Sequence, residues 1–392
     1  MGMHARSPNA GAIEPGLTRL RRSGRILRGG GLLLLAGGVW LLAAGWGYTA
    51  AARWGVQAGA VMALVLIRLE TSLELNRLPG DPRLRPALGA ANLLTLGRAA
   101  LIAATAGFLF QDPPDDGHGA WLRWAPGVLY LLAVIMDHVD GRVARAKGTE
   151  TRLGELLDTE IDALGLFVAS LLLVAGGRAP LIFLGVGIGY YGVRAARRIR
   201  SWAGRRVGDV KPRAEARMVA GCEMGFAAMA LLPVLSPAAT APAGGVMAIV
   251  FLAGILKDWL IICGHASPEG RPLRPWLRAL ETAAAAALPV LLRVAVAGGV
   301  ILLVAEPCSI MGTAARAGVM VLGALCALGV ATRLAGMLLS LLMAGYVTAG
   351  GSGPAEALVL PAAVFLMLTG AGRPRLWQPE DALFLGKRKQ DT

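Results

Sequence analysis

Charge is scarce in this 392-residue sequence: only 16% of residues are charged, and 25 of them are acidic. So little charge against 55% hydrophobic residues and a mean hydropathy of +0.59 excludes an ordinary soluble domain and a disordered chain, and points to many membrane spans. Cysteine is nearly absent. Cys222, Cys263, Cys308 and Cys326 show no CxxC pair, so neither a disulfide framework nor a cysteine zinc site is expected; they read as small apolar fillers. Histidine is missing altogether from residues 281–392, which excludes a histidine-ligated haem or quinone constellation there. The net charge of +14 is the residue of this imbalance. In so apolar a chain it signals orientation in a membrane and attraction to anionic lipid heads, not nucleic-acid binding.

What is present is a series of apolar runs. A span needs about 20 mainly apolar residues, and twelve candidates emerge, predicting an all-α, polytopic integral membrane protein. Two N-terminal spans are expected at 29–49 and 51–68. Six follow at 90–110, 122–145, 153–176, 179–197, 214–236 and 242–263, and four more at 283–305, 313–330, 333–350 and 355–371. The opening "MGMHARSPNAGAIEPGLTRLRRSGRILRGG" has a long basic region and no clear small-residue cleavage site. It is expected to be a cytoplasmic basic segment, partly disordered or interfacial, and not a cleavable signal.

The connecting loops agree with this count. With the N-terminus inside, the segment 194–217 lies inside and carries Arg194, Arg197, Arg198, Arg200, Arg205, Arg206, Lys211, Arg213 and Arg217. The loop "HASPEGRPLRPWLRALE" and the tail "GKRKQDT" also fall inside. The opposite loops, "QDPPDDGHGA", "SPAATAPAGG", "EPCSIMG" and "GGSGPAE", contain no lysine or arginine. This asymmetry predicts a multi-pass protein of the cytoplasmic (inner) membrane with both termini on the cytoplasmic side.

Against this background the stretch "MDHVDGRVARAKGTETRLGELLDTEIDALG", residues 136–165, stands out. It places four carboxylates, Asp137, Asp140, Asp158 and Asp162, at the cytoplasmic edges of two apolar runs. At about 100° per residue, Asp137, Asp140, Gly141, Ala144 and Arg145 share an arc of roughly 140° on one helix. Gly154, Asp158 and Asp162 share a face of the next, stepping by i+4. Two antiparallel helices can therefore turn four carboxylates towards each other, with small residues leaving room for something to approach the backbone. Ionisable groups at membrane depth are costly and mark functional sites. Clustered carboxylates repel unless protonated or neutralised by cations. Hard divalent ions take oxygen ligands, and Mg²⁺ commonly works with a substrate phosphate. The expectation is a divalent-metal site, with one or two ions, acting on a phosphate-bearing substrate at the membrane surface.

The spacing D-x2-D-G-x2-A-R-x8-G-x3-D-x3-D resembles the signature of the CDP-alcohol phosphotransferase family at every fixed position, and the resemblant region covers 85–266. The resemblance implies a six-helix membrane fold, often dimeric. It implies transfer of a phosphatidyl or related substituted phosphoryl group from CDP-diacylglycerol or a similar CDP-linked donor to an alcohol, with release of CMP in phospholipid synthesis. It implies Mg²⁺ or Mn²⁺, two ions in all, held by Asp137, Asp140, Asp158 and Asp162. Asp162 resembles the base that activates the acceptor hydroxyl. Gly141, Ala144 and Gly154 resemble pocket-lining positions on the CDP-donor side, and Arg145 a diphosphate contact. The alternative is a non-enzymatic transporter or assembly module with a degenerate transferase half; the intact motif speaks against it.

Two further sets of residues extend the expected site. In "AANLLTLGR", Asn92, Thr95 and Arg98 recur at i, i+3 and i+6, as in the N-x-x-T-x-x-R run of many family members, which assigns them to the nucleotide side of the pocket. Arg213 and Arg217 are candidates for holding a phosphorylated acceptor, since guanidinium groups suit phosphate oxygens. The surrounding "KPRAEARMVAGCE" departs from the P-S-x-x-G-K-x-K-T-like run of bacterial phosphatidylglycerophosphate synthases.

The expected organisation is thus a basic segment with two membrane helices over 1–84, the transferase region over 85–266, a Pro/Arg-rich linker over 267–280, and a four-helix membrane block over 281–392. Arg293, Arg333, Gly372, Arg373 and Asp381 give this last block a resemblance to the DoxX-like family, which implies no firm activity.

Overall fold

The computed structural model describes residues 10–81, 83–112, 120–147, 151–210, 214–234, 237–267, 275–305, 311–350 and 353–377; the side chains of 10–15, 138–147, 214–215 and 275–281, and of a few scattered residues, fall outside the description. Among the described residues the chain is built of α-helices with short 3-10 turns and contains no β-strand, only an isolated bridge between Val330 and Trp377.

The helices are α1 (Ala10–Trp46), α2 (Tyr48–Ser72), α3 (Gly89–Ala106), α4 (Ala125–Lys147), α5 (Arg152–Ala175) and α6 (Leu184–Trp202). They continue as α7 (Ala214–Leu231), α8 (Pro237–Ile262), α9 (Pro275–Ala305), α10 (Thr313–Leu328), α11 (Thr332–Thr348) and α12 (Pro354–Thr369). By length and composition, segments of α1, α2, α3, α8 and α9 are long and apolar enough to cross a membrane, and shorter apolar stretches occur in α4, α7, α10, α11 and α12. The protein is a polytopic membrane protein. The carboxylates and arginines in the first half of α5 and the second half of α6 leave only short apolar stretches in those two helices.

The main departure from the sequence expectation is α1. Residues 10–28 are helical and continuous with the first span, so the helix begins well before the 29–49 expected. The reason is a buried face: Leu20 is fully buried, with Leu17 and Leu27 packed against the same core, and Arg28 pairs with Glu70 of α2 at 2.5 Å. Helix α9 likewise begins at Pro275, inside the stretch read as a linker; proline suits a first helical position because that N–H lacks an intrahelical acceptor anyway.

The chain forms two compact units. The first comprises residues 1–175 and 227–233, the second 176–226 and 234–392. In the first, α1 and α2 form a hairpin that packs on α3, and α3 packs on both α4 and α5. Its core joins Leu69 of α2, Leu96 and Ile102 of α3, and Leu157 and Ile161 of α5. Polar bonds fix the hairpin against α3 and the turn after it. Trp54 Nε1 donates to the Ala104 carbonyl at 3.0 Å, and Gln57 Nε2 to Leu109 O at 3.1 Å. The Trp54 ring lies so close over Gly107 that a Cβ there would collide with it.

In the second unit, α9 to α12 surround a core including Val300, Val319, Leu339 and Val359, and α8 packs on α6, α11 and α12. Two arginines that were read from the sequence close helix ends here. Arg293 Nε and Nη2 donate to Ala327 O at 2.9 and 2.5 Å, and its Nη1 donates to Pro374 O at 2.5 Å. Arg333 Nη1 donates to Met367 O at 3.1 Å, near the end of α12. A guanidinium at a helix C-terminus satisfies carbonyls that lack an intrahelical donor and opposes the negative end of the dipole. Gly372 takes a positive φ of 65°, Arg373 is exposed, and Asp381 lies outside the described residues.

Candidate metal centre

The site is assembled by α3, α4 and α5. Asp137 comes from α4, and Asp158 and Asp162 from one face of α5. One carboxylate oxygen of each lies within 4.8 Å of the others, the spacing of ligands around one ion. The three are partly buried, with side-chain exposures of 25%, 48% and 33%.

Among the described residues, one cationic side chain sits among them. Arg98, in the third turn of α3, is only 2% exposed. Its Nη1 pairs with Asp137 Oδ1; its Nη2 donates to Asp158 Oδ1 at 2.9 Å and to Asp162 Oδ1 at 2.7 Å. Arg98 therefore lies at the centre of the carboxylates, whereas the sequence reading assigned it to the nucleotide side. Its guanidinium sets one positive charge against three carboxylates and so offsets part of their repulsion.

Asn92 and Thr95 lie on the same helix but serve other contacts. Buried Asn92 donates through Nδ2 to Thr151 Oγ1 at 3.3 Å and to Asn76 Oδ1 at 3.4 Å. Fully buried Asn76 in turn donates to the carbonyls of Arg85 and Ala87, at 3.0 and 2.9 Å, and holds the loop that leads into α3. Thr151 is the N-cap of α5: its Oγ1 accepts the Gly154 N–H at 3.1 Å. Gly154 faces this network, and a Cβ on it would come 2.6 Å from Asn92 Oδ1. Thr95 Oγ1 donates to the Ala91 carbonyl at 3.0 Å. The polar cluster thus sets where α5 begins relative to α3, nearly two helical turns before Asp158.

The side chains of Asp140, Gly141, Ala144 and Arg145 lie outside the described residues, although their backbone continues α4. Arg213 is also outside; Arg217, on α7, is exposed. Sequence reasoning missed Asn76 and Thr151, and it missed Glu160, which pairs with Arg68 of α2. Thr151 carried a usable signal, a threonine just ahead of a helical apolar run. Asn76 carried none, because its partners are loop carbonyls.

Apolar helices carrying three convergent carboxylates define a multi-pass membrane protein with a cluster that could hold a cation. Comparison with known proteins narrows this. Residues 88–265 match the sequence model of the CDP-alcohol phosphatidyltransferase family. Among curated proteins it resembles choline/ethanolaminephosphotransferase 2 of Arabidopsis thaliana, 37% identical over 65 residues. That likeness covers 17% of this chain and 17% of the relative's own length. No solved structure matches the chain.

The donor set fits the metal that the family implies. The three groups are hard carboxylate oxygens, the preference of Mg²⁺ and Mn²⁺.

Proposed function

We propose that this protein is a membrane-embedded phosphotransferase that moves a substituted phosphoryl group from a CDP-linked donor to an alcohol, releasing CMP. The observation that carries the reading is the convergence of Asp137, Asp158 and Asp162 on one point within the region that matches this family. In this reading Asp137, Asp140 and Asp158 hold Mg²⁺ or Mn²⁺, with Asp162 beside them. Bound there, the metal would supply neutralisation of the donor's diphosphate charge.

The chain's own residues do the remaining work. Asp162 accepts the proton of the acceptor hydroxyl as its oxygen forms a bond to the transferred phosphorus; the bond from that phosphorus to the CMP oxygen breaks, and CMP departs with the bonding pair. Gly141 and Ala144 leave room for the nucleotide, and Arg145 pairs with the diphosphate. Arg98 holds the three carboxylates at one point and limits their repulsion. Arg213 and Arg217 hold a phosphate on the acceptor. The reaction runs at the cytoplasmic face of the inner membrane, as the arginine-rich inner loops support, in a homodimer.

The donor follows one of two patterns. CDP-diacylglycerol passes its phosphatidyl group to a water-soluble alcohol, or a CDP-linked headgroup passes its phosphoalcohol to diacylglycerol. The resemblance to a choline/ethanolaminephosphotransferase favours weighing the second alongside the first. Full-length protein in lipid nanodiscs, given each donor with a panel of acceptors, separates them by the radiolabelled lipid formed. Product from neither donor, with the protein folded, refutes the proposal.

A further inference from the structure

Helix α5 is gripped from two opposite sides, and the second grip comes from outside the family match. Glu160 lies between Asp158 and Asp162. At about 100° per residue it points about 180° away from their mean direction. Its partner is Arg68 of α2: Arg68 Nε donates to Glu160 Oε2 at 2.5 Å and Nη2 to Oε1 at 2.8 Å. This is a two-bond fork between a planar guanidinium and a carboxylate, which fixes orientation as well as distance. Glu160 is only 17% exposed. Arg98 holds the opposite face of the same turns, through Asp158 and Asp162.

We propose that Arg68 is a positioning residue for the carboxylate site, so that the N-terminal hairpin α1–α2, which precedes the family match at residue 88, is a working part of the transferase. This rests on the reading of the cluster as a divalent-cation site. The physical argument is rotational. Carboxylates stand about 6 Å from a helix axis, so a turn of α5 by about 10° moves them by about 1 Å. Such a shift is enough to spoil a ligand set or a base. Core packing of Leu157 and Ile161 resists translation of α5, but smooth apolar contacts are a weak brake on small rotations; two directed ion pairs on opposite faces are a strong one. The hairpin is itself anchored by Trp54 on α3 and by Gln57 on the turn after it, so Arg68 reaches α5 from a fixed base.

The test is Mn²⁺ binding by electron paramagnetic resonance, on the full-length protein in nanodiscs and without substrate. Wild type, Arg68→Met, Glu160→Gln and the reciprocal swap Arg68→Glu with Glu160→Arg are compared. Arg28→Met serves as control, because Arg28 pairs with Glu70 within the hairpin and does not reach α5. The expected result is a loss of Mn²⁺ affinity of roughly tenfold or more in both single variants, the usual effect of losing a partner that orients ligands. The swap regains part of it, and Arg28→Met binds like wild type. Glu160→Gln keeps the side-chain shape, so it reports even where Arg68→Met folds poorly. Wild-type affinity in both single variants overturns the inference and leaves the cation site standing. An equal loss in Arg28→Met also overturns it, because the effect then belongs to hairpin stability in general. Absence of Mn²⁺ binding in wild type overturns the cation-site reading and this inference together.

Discussion

The Arg98 guanidinium donates to the Asp162 carboxylate at 2.7 Å, tying α3 to α5 at the centre of the carboxylate cluster. The same nitrogen reaches Asp158 at 2.9 Å. A buried cation between three carboxylates stabilises the metal-free protein and competes with any incoming metal ion.

Arg98→Met therefore leaves three carboxylates facing one another. Breaking a buried ion pair costs about 3–5 kcal/mol; because the carboxylates here reach solvent, the expected loss is at the lower end, about 3 kcal/mol or less. The variant melts at a lower temperature than wild type in EDTA. Mg²⁺ then raises its melting temperature by more than it raises that of wild type, since the ion no longer competes with a guanidinium. Differential scanning fluorimetry with and without Mg²⁺ checks both. An unchanged melting temperature in EDTA would show that the arginine carries no such load.

Gly154→Ala tests the network behind the site. The added methyl meets Asn92 Oδ1 at 2.6 Å, and Asn92 cannot swing away without losing its bonds to Asn76 and Thr151. The expected cost is about 1–3 kcal/mol, as for other overpacked positions. Pairing it with Asn92→Ala removes the obstruction and recovers part of the loss, although Asn76 then lacks a donor. Thermal unfolding of the two singles and the double measures the coupling.

How much of this was legible in the sequence differs between levels. The helices follow the apolar runs closely: α5 (Arg152–Ala175) was expected at 153–176 and α10 (Thr313–Leu328) at 313–330. Run length and the basic loops carried that information. The extension of α1 back to Ala10 was not legible, because it depends on Leu20 finding a pocket beside Leu69 and Leu73. The i+4 step of Asp158 and Asp162 placed both on one face in advance, and Asp137 of α4 lies beside them. The positions of Arg98 and Glu160 were not legible. Their partners are 39 to 92 residues distant in the chain, and no local pattern announces which helix faces which.

Asp158 and Asp162 share a helix face yet are assigned different duties. Asp158→Asn weakens metal binding, so raising Mg²⁺ recovers part of the CMP release. Asp162→Asn slows the chemical step, by about 10²–10⁴-fold for a lost general base, and added metal does not recover it. The contrast is read from whole metal-concentration curves. Rescue of Asp162→Asn but not of Asp158→Asn means that the two duties are exchanged.

The central claim is that the carboxylate cluster performs metal-dependent transfer from a CDP-linked donor. Its most direct test is CMP release by full-length protein in nanodiscs, first in EDTA and then with Mg²⁺ or Mn²⁺ restored, beside Asp140→Asn. The account predicts no release in EDTA, recovery on adding metal, and loss of activity in the variant, which removes a charged ligand at nearly constant volume. Full CMP release in metal-free buffer, or wild-type turnover by Asp140→Asn, would contradict it.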